Sequence, residues 1–269
     1  MRIFLLASSA LVFAGSAVAA DLPARLPTKA PPVVAAVPYT WTGCSIGGHV
    51  GAGWDRTTFT DPGNVDPFFG GPAPRLAPAG ASIGVNSQAG ALGGVQAGCD
   101  YQFASNWVVG LGGDFAWADI HGVANDPFFV GKNGQPVPLS TRTDMLASVT
   151  GRVGYAWDRF LVYGKGGGAW AHDKYSISNL TCAFFTTCNL TGSTDRFGWT
   201  AGVGVEWAFA PNWSALVEYN HYGFGNKTIS FTDPAVPVTQ QFNVKQQIDV
   251  VKVGINYRFG GPGAVVARY

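Results

Sequence analysis

Four histidines are the side chains best suited to acid–base chemistry in this sequence, and two of them have a serine or a glutamate nearby in the chain. Ser45 and His49 are four residues apart, so in a β-strand they share a face but stand about 13 Å apart along it. This distance is too long for the hydrogen bond between a nucleophile and its base. Glu218 and His221 are separated by an odd number of positions, so they should project to opposite faces of a strand.

The remaining histidines, His121 and His172, are expected in loops or at strand ends, where a solvated histidine is ordinary. The sequence contains no spacing typical of a metal site and no phosphate-binding loop, because glycine runs such as 166–168 fall inside predicted strands. We therefore predict no catalytic residue, no metal, no cofactor and no enzymatic activity.

Eight charged residues share a different property, because all of them fall on the polar side of segments in which polar and apolar residues alternate. They are the acids Asp100, Asp114, Glu206 and Glu218 and the bases Arg152, Lys165, Lys252 and Arg258. Four acids and four bases in a confined space should pair into a salt-bridge network, because a buried charge without a partner is very costly. The alternative is a narrow solute pathway through the same charges.

The elements that must position these charges are β-strands. Alternation with a period of two predicts eight strands, at about 41–55, 87–103, 107–120, 143–157, 160–174, 196–209, 213–224 and 246–259. In the sixth of them, Val203 and Val205 lie on the face opposite to Glu206. Each strand therefore has one apolar face and one face that carries small, polar and charged residues.

The connections between these strands alternate in length. Those at 104–106, 158–159 and 210–212 are short turns, whereas those at 56–86, 121–142, 175–195 and 225–245 are long. Short turns at one end and long loops at the other are typical of a transmembrane barrel, with the turns in the periplasm and the loops outside. The predicted fold is all-β: an eight-stranded antiparallel up-and-down transmembrane β-barrel over 41–259, with short periplasmic turns and four long extracellular loops.

Composition supports a chain whose outer surface faces lipid. Charged residues make up 12% of the sequence, roughly half of the usual share, while glycine (37 residues) and aromatics (13%) are abundant. After the first twenty residues, no apolar run is long enough for a membrane-spanning helix, and only helices and closed barrels satisfy the backbone within a bilayer. A formal net charge of +1 gives no electrostatic reason to expect nucleic-acid binding.

The first twenty residues have the pattern of a cleaved signal peptide: a short basic start, an apolar core and small residues before the cut. We place cleavage between Ala20 and Asp21, with a cut after Ala19 nearly as good and a membrane anchor as the alternative. Residues 21–40 contain five prolines and are predicted to be a periplasmic linker. The predicted location is the outer membrane of a Gram-negative cell.

Large aromatic residues gather at the ends of the predicted strands, as expected for girdles at the two membrane surfaces. The predicted girdle residues are Trp41, Trp54, Trp107, Trp117, Trp157, Trp199, Trp207, Trp213 and Phe259.

The four cysteines are expected to be oxidised, because disulfides persist in the periplasm. Cys44 and Cys99 point outward at similar heights on neighbouring predicted strands, and Cys182 and Cys188 fall in one loop. Of the three connectivities that four cysteines allow, we favour 44–99 with 182–188. Free, lipid-facing Cys44 and Cys99 are the alternative, because directly opposed strand positions are not ideal for a disulfide.

Two segments carry a resemblance to a known family. Residues 39–51 read YTWTGCSIGGHVG after a proline-rich leader, and residues 253–259 read VGINYRF. Both resemble the small, eight-stranded, OmpA-like porin-family barrels of alphaproteobacterial outer membranes, and the order and spacing of the motifs match over essentially all of the mature chain. The resemblance implies a role in outer-membrane integrity, surface exposure and, in some members, contact with haem or host molecules, and it assigns no catalytic residue.

The sequence departs from this family at both ends of the barrel. Cys44 and Ser45 stand where the family usually has aromatic residues, and a tail at 260–269 follows the strand that usually ends the chain. Either Phe259 or the alternating Val265, Ala267 and Tyr269 should therefore supply the signal for the barrel-assembly machinery.

We therefore predict a structural outer-membrane barrel with a filled interior, which supports the envelope and interacts through its surface. The expected partners are outer-membrane lipid and lipopolysaccharide, the assembly machinery, and a surface ligand or host molecule at the loops. A small diffusion channel is the alternative function, and a lipid-modifying outer-membrane enzyme is a distant third.

Overall fold

The computed structural model describes residues 39–63, 79–103, 106–128, 134–181, 187–233 and 239–259. The predicted signal peptide with its cut at Ala20 and Asp21, nearly all of the linker, Cys182 and the C-terminal tail lie outside the described residues. Within the described ranges the strands are β1 (Gly43–Thr60), β2 (Ser82–Asn86), β3 (Gly90–Phe103), β4 (Trp107–Asp126), β5 (Val137–Trp157), β6 (Phe160–Thr181), β7 (Thr187–Trp207), β8 (Trp213–Thr232) and β9 (Thr239–Phe259).

All strand pairs are antiparallel, and the sheet closes on itself. From β3 to β9 each strand pairs with the next, and β1 pairs with both β3 and β9. The short β2 pairs with the far end of β1, at Arg56–Thr60, above the part of β1 that pairs with β3. Because β2 and β3 share one position in the wall, the ring has eight positions, and the predicted fold class is confirmed.

The lower part of the barrel, next to the short turns, has apolar residues outside and polar residues inside. Leu111 and Val149 are each 73% exposed on the outer face. Trp54, Trp117 and Trp199 bound this apolar band on the side away from the short turns, and the outward-facing rings at Trp107, Trp157, Trp207, Trp213 and Phe259 bound it on the other. These two girdles delimit the membrane-spanning part of the wall.

Above the upper girdle the strands continue, and the pattern reverses. Ile229 and Phe231 of β8 point inward and are buried, whereas Ser230 and Thr232 between and after them are exposed. The strands of the ring other than β2 and β3 have 18 to 22 residues, about twice what a tilted strand needs to cross a bilayer. Much of the sequence predicted as long loops is therefore an extracellular extension of the barrel, and His121 and His172 lie in β4 and β6 instead of in loops.

The inside of the barrel is layered. An apolar cluster around Trp41 and Leu161 lies at the short-turn end, and a second one, with Leu146 and Ile248, lies near the upper girdle. A third, rich in aromatic rings such as those of Phe59 and Phe231, fills the extracellular extension. The space between the first two clusters holds the charged residues, and the space between the last two holds a set of buried polar residues.

In the part of the chain that the structure describes, no helix is long and apolar enough to cross a membrane.

Candidate functional site: the charged interior

The alternation of the strands brings all eight predicted interior charges to the inner face of the membrane-spanning part. Seven of them have side chains that are 7% exposed or less, and Arg152 is 17% exposed. They divide into two groups of two acids and two bases. We call them the lower quartet (Asp100, Arg152, Glu206 and Arg258) and the upper quartet (Asp114, Lys165, Glu218 and Lys252).

The lower quartet is held together by two guanidinium groups. Arg152 binds Asp100 with two nitrogens, Nε to Oδ1 at 2.7 Å and Nη2 to Oδ2 at 2.5 Å, and its Nη1 lies 3.1 Å from Oε2 of Glu206. Nη1 of Arg258 lies 3.0 Å from Oδ2 of Asp100, and its Nη2 lies 3.7 Å from Oε1 of Glu206. Each acid therefore contacts both bases, and the group is electrically balanced.

The upper quartet repeats this arrangement with two ammonium groups. Nζ of Lys165 lies 2.6 Å from Oε1 of Glu218 and 3.4 Å from Oδ1 of Asp114. Nζ of Lys252 lies 3.1 Å and 3.3 Å from the same two atoms. This quartet is balanced as well, so the attraction within each group offsets the cost of removing its charges from water.

Neutral side chains satisfy the remaining acceptors of the network. The hydroxyls of Tyr163 and Ser214 donate to Glu218 and Glu206 over 2.8 Å and 2.6 Å, and Ser148 donates to Asp114 over 2.8 Å. Asn220 and Asn256 donate to the same two glutamates. All five lie an even number of positions from an interior charge of their own strand, so strand alternation directs them inward.

Trp41 closes the short-turn end of the barrel. The sequence places it in the membrane girdle, but its side chain is fully buried inside, so this prediction is wrong. Its indole N–H donates to the carbonyl of Asp158 over 3.1 Å, and the guanidinium carbon of Arg258 lies 5.2 Å from the centre of its ring. Trp41 precedes β1, which begins at Gly43 with a φ of +140°, so strand alternation does not govern its direction.

The charged layer leaves little free space. A cavity of about 60 Å³ lies between residues of both quartets, with room for only a few water molecules. Apolar layers close the barrel on either side of it.

The histidines do not form a catalytic group with the residues considered above. His49 is buried, and neither of its ring nitrogens has a hydrogen-bond partner, so it makes no hydrogen bond to Ser45. Glu218 lies inside and His221 outside, where the His221 ring lies 2.7 Å from Asp249. Among the described residues, no group of three or more histidine, cysteine, aspartate or glutamate side chains is placed to hold a metal.

A disulfide joins Cys44 and Cys99, which are directly opposed on β1 and β3 with Cα atoms 3.9 Å apart. Cys188 is also disulfide-bonded, and its predicted partner Cys182 lies outside the described residues. Both outer-wall cysteines are therefore oxidised, as favoured from the sequence.

A closed antiparallel ring with an apolar outer band, two aromatic girdles and, between those girdles, paired charges on the inner face defines an integral β-barrel protein of the bacterial outer membrane. The chain belongs to the family described as the outer membrane protein beta-barrel domain, whose model matches residues 9–259.

Its relatives include the 31 kDa outer-membrane immunogenic protein of Brucella melitensis, 31% identical over 263 residues that cover 96% of this chain and all of the relative. The 25 kDa outer-membrane immunogenic protein of Brucella abortus is 25% identical, covering 96% of this chain and 99% of the relative.

Among solved structures, similarity was found to the outer-membrane protease OmpT of Escherichia coli, with a TM-score of 0.47 and 8% identity over 84% of this chain and 99% of that one. The outer membrane protein OprG of Pseudomonas aeruginosa gives a TM-score of 0.38 and 12% identity over 81% and 97%.

Proposed function

We propose that this protein is a non-conducting structural barrel of the outer membrane, which also presents its extracellular extension to molecules outside the cell. The observation that carries the first half of the proposal is the pairing of all eight interior charges into two balanced quartets. A solute pathway requires charged groups that face water along a continuous opening. Here each charge is occupied by its neighbours, and an apolar layer lies on either side of them.

The second half of the proposal is supported by the shape of the barrel and by its relatives. The strands extend beyond the upper girdle into a rigid, well-packed structure, and the Brucella relatives are named as immunogenic proteins of the outer membrane. A role without catalysis fits the histidine contacts described above. Lipid and lipopolysaccharide surround the outer face, the exposed Phe259 supplies the assembly signal, and the extracellular extension with its loops contacts a surface ligand or host molecule.

Planar-bilayer recording of the refolded protein tests the absence of conduction. Heat-dependent mobility on a gel establishes independently that the protein is folded, and we expect no steady open events from the wild type. The Lys174→Met variant, which alters an exposed lysine on the outer wall, should give the same record. Steady openings in the wild type whose conductance or ion selectivity changes in Lys165→Met would refute a filled barrel.

Labelling of intact cells with an amine-reactive, membrane-impermeant reagent tests whether the extension is accessible. Lys174 is 57% exposed above the upper girdle, whereas Lys165 and Lys252 are 6% and 3% exposed in the interior. We expect the label at Lys174 and not at the two interior lysines. If Lys174 is unlabelled in intact cells but labelled after lysis, the extension is not presented to the outside, and this half of the proposal is wrong.

A further inference from the structure

Six buried polar side chains form a cluster inside the extracellular extension, between two apolar layers. They are Asp55, Thr57, Thr141, Thr143, Asp173 and Gln246, and each is 2% exposed or less. The cluster lies above the upper girdle, since Asp55 follows Trp54 in β1, and Asp173 of β6 comes after Gly168, which pairs with Trp199. It is separate from the two quartets.

The six side chains form two hydrogen-bonded groups of three, one around the carboxylate of Asp55 and one around that of Asp173. Thr57 donates to Oδ2 of Asp55 over 2.8 Å, and Thr141 donates to the same oxygen over 3.4 Å. On the other side, Thr143 donates to Oδ1 of Asp173 over 2.5 Å.

The amide of Gln246 joins this second carboxylate. Its Nε2 lies 3.1 Å from the Thr143 hydroxyl and 3.2 Å from Oδ1 of Asp173, so the end of the side chain points into the cluster. Its carbonyl oxygen is left without a donor.

Three buried oxygens in the cluster therefore have no hydrogen-bond partner: Oδ1 of Asp55, Oδ2 of Asp173 and Oε1 of Gln246. A buried acceptor without a donor or a cation costs free energy, and two such acceptors here belong to carboxylates. All three are hard oxygen ligands from side chains that are at least nine-tenths buried. The cluster has acceptors to spare and lacks a positive partner for them.

The two aspartates of the cluster also have no cation paired with them in the described part of the chain. Among the described residues, no basic side chain forms an ion pair with Asp55 or Asp173. Arg196 is the buried cation near Asp173, but it donates to the carbonyls of Gly225 and Val244 and to the hydroxyl of Tyr175.

We propose that this cluster binds a hard cation, Ca²⁺, between the two aspartates and the carbonyl of Gln246. Calcium accepts carboxylate, amide-carbonyl, hydroxyl and water oxygens in a flexible shell of six to eight ligands. The hydroxyls of the three threonines and trapped water are the further oxygens available. Magnesium is a poorer fit, because it demands regular octahedral geometry and gives up its own water reluctantly.

The site would bind calcium as the extension folds, because the layers above and below it are packed. The test therefore uses the full mature chain, refolded at pH 8 in detergent free of lipopolysaccharide, with either calcium or a chelator present throughout. Terbium bound to the folded protein is then measured by its sensitised luminescence and displaced by calcium. We expect calcium-displaceable binding in the wild type.

Asp55→Asn is the decisive variant, because it keeps the shape of the side chain and removes a buried charge, so it should fold at least as well as the wild type. It should weaken binding roughly tenfold or more, since even partners outside the direct ligand shell contribute at that level. Gln246→Leu should weaken it as well. The matched control is Asp119→Asn, an exposed aspartate on the outer wall that should leave binding unchanged.

A second measurement is the temperature at which the folded band is lost on a gel. Calcium should raise it in the wild type and in Asp119→Asn, and not in Asp55→Asn. The proposal is wrong if the wild type binds no calcium at pH 8, or if Asp119→Asn loses binding as Asp55→Asn does. It is also wrong if acidification stabilises the protein and calcium does not, because a proton then supplies the missing charge.

Discussion

Replacing Arg152 with methionine should destabilise the barrel by about 3–5 kcal/mol, the usual cost of breaking a buried ion pair. Arg152 makes three hydrogen bonds to two carboxylates whose side chains are 1% exposed or less. Its loss leaves the lower quartet with Asp100 and Glu206 facing the single positive charge of Arg258. The cost therefore comes from an uncompensated buried charge and not only from lost packing.

A second variant separates these two causes. In Arg152→Met combined with Glu206→Gln, one acid and one base are removed together, and the pair between Asp100 and Arg258 at 3.0 Å remains. The glutamine still has an oxygen for the donors Ser214 and Asn256. Although it carries two substitutions, the double variant should recover about 2 kcal/mol relative to the single one, because the quartet is balanced again.

The assay is equilibrium unfolding by urea in lipid vesicles, followed by tryptophan fluorescence. Lys174→Met is the control, because the Lys174 side chain is 57% exposed and its ion pair with Asp144 should contribute less than about 1 kcal/mol. The reasoning is refuted if Arg152→Met costs no more than this control. It is also refuted if the double variant is as unstable as the single one, because charge balance would then be irrelevant.

Three further predictions concern other parts of the barrel. Replacing Cys44 and Cys99 together with serine removes a disulfide between residues 55 apart in sequence and should lower the free energy of unfolding by about 4 kcal/mol in the same urea assay. In that variant, a reducing agent has no Cys44–Cys99 disulfide left to break. Trp41→Ala should cost about 3–5 kcal/mol of unfolding free energy, and a loss below about 1 kcal/mol would show that Trp41 is not packed at the short-turn end. Because the folded pKa of Asp55 is raised to about 7, the calcium-free protein should lose up to about 4 kcal/mol as pH rises from 4 to 8, and Asp55→Asn should flatten this dependence; an equal slope in both proteins would contradict it.

The membrane-spanning half could be predicted from the sequence because its pattern is simple. Lipid outside and a narrow polar interior fix which face every residue takes, so counting in twos predicts an inward direction for Asp100, Lys165 and Glu218. The partners could not be predicted in the same way. Arg152 and Lys165 are directly opposed on β5 and β6, but as two cations they pair with different acids, Arg152 with Asp100 and Glu206 and Lys165 with Asp114 and Glu218.

The extracellular half was missed because its pattern reverses. Thr228, Ser230 and Thr232 alternate with Ile229 and Phe231, which is a clear period of two, but the apolar residues point inward. A search for apolar outer faces assigns such a segment to a loop. The buried cluster around Asp55 was missed for a related reason, since its members come from four strands and no two of them form a recognisable motif.

Because the pattern reverses at the upper girdle, the outer face of one continuous sheet contacts hydrocarbon below this girdle and water above it. Below Trp54 and its neighbours, hydrocarbon is the solvent and the interior is the polar phase. Above them water is the solvent, and a core of the kind found in soluble proteins, around Phe59 and Phe231, holds the wall together. An amphiphile is therefore needed only by the lower half, and the outer half keeps its shape and surface through packing that belongs to the protein itself.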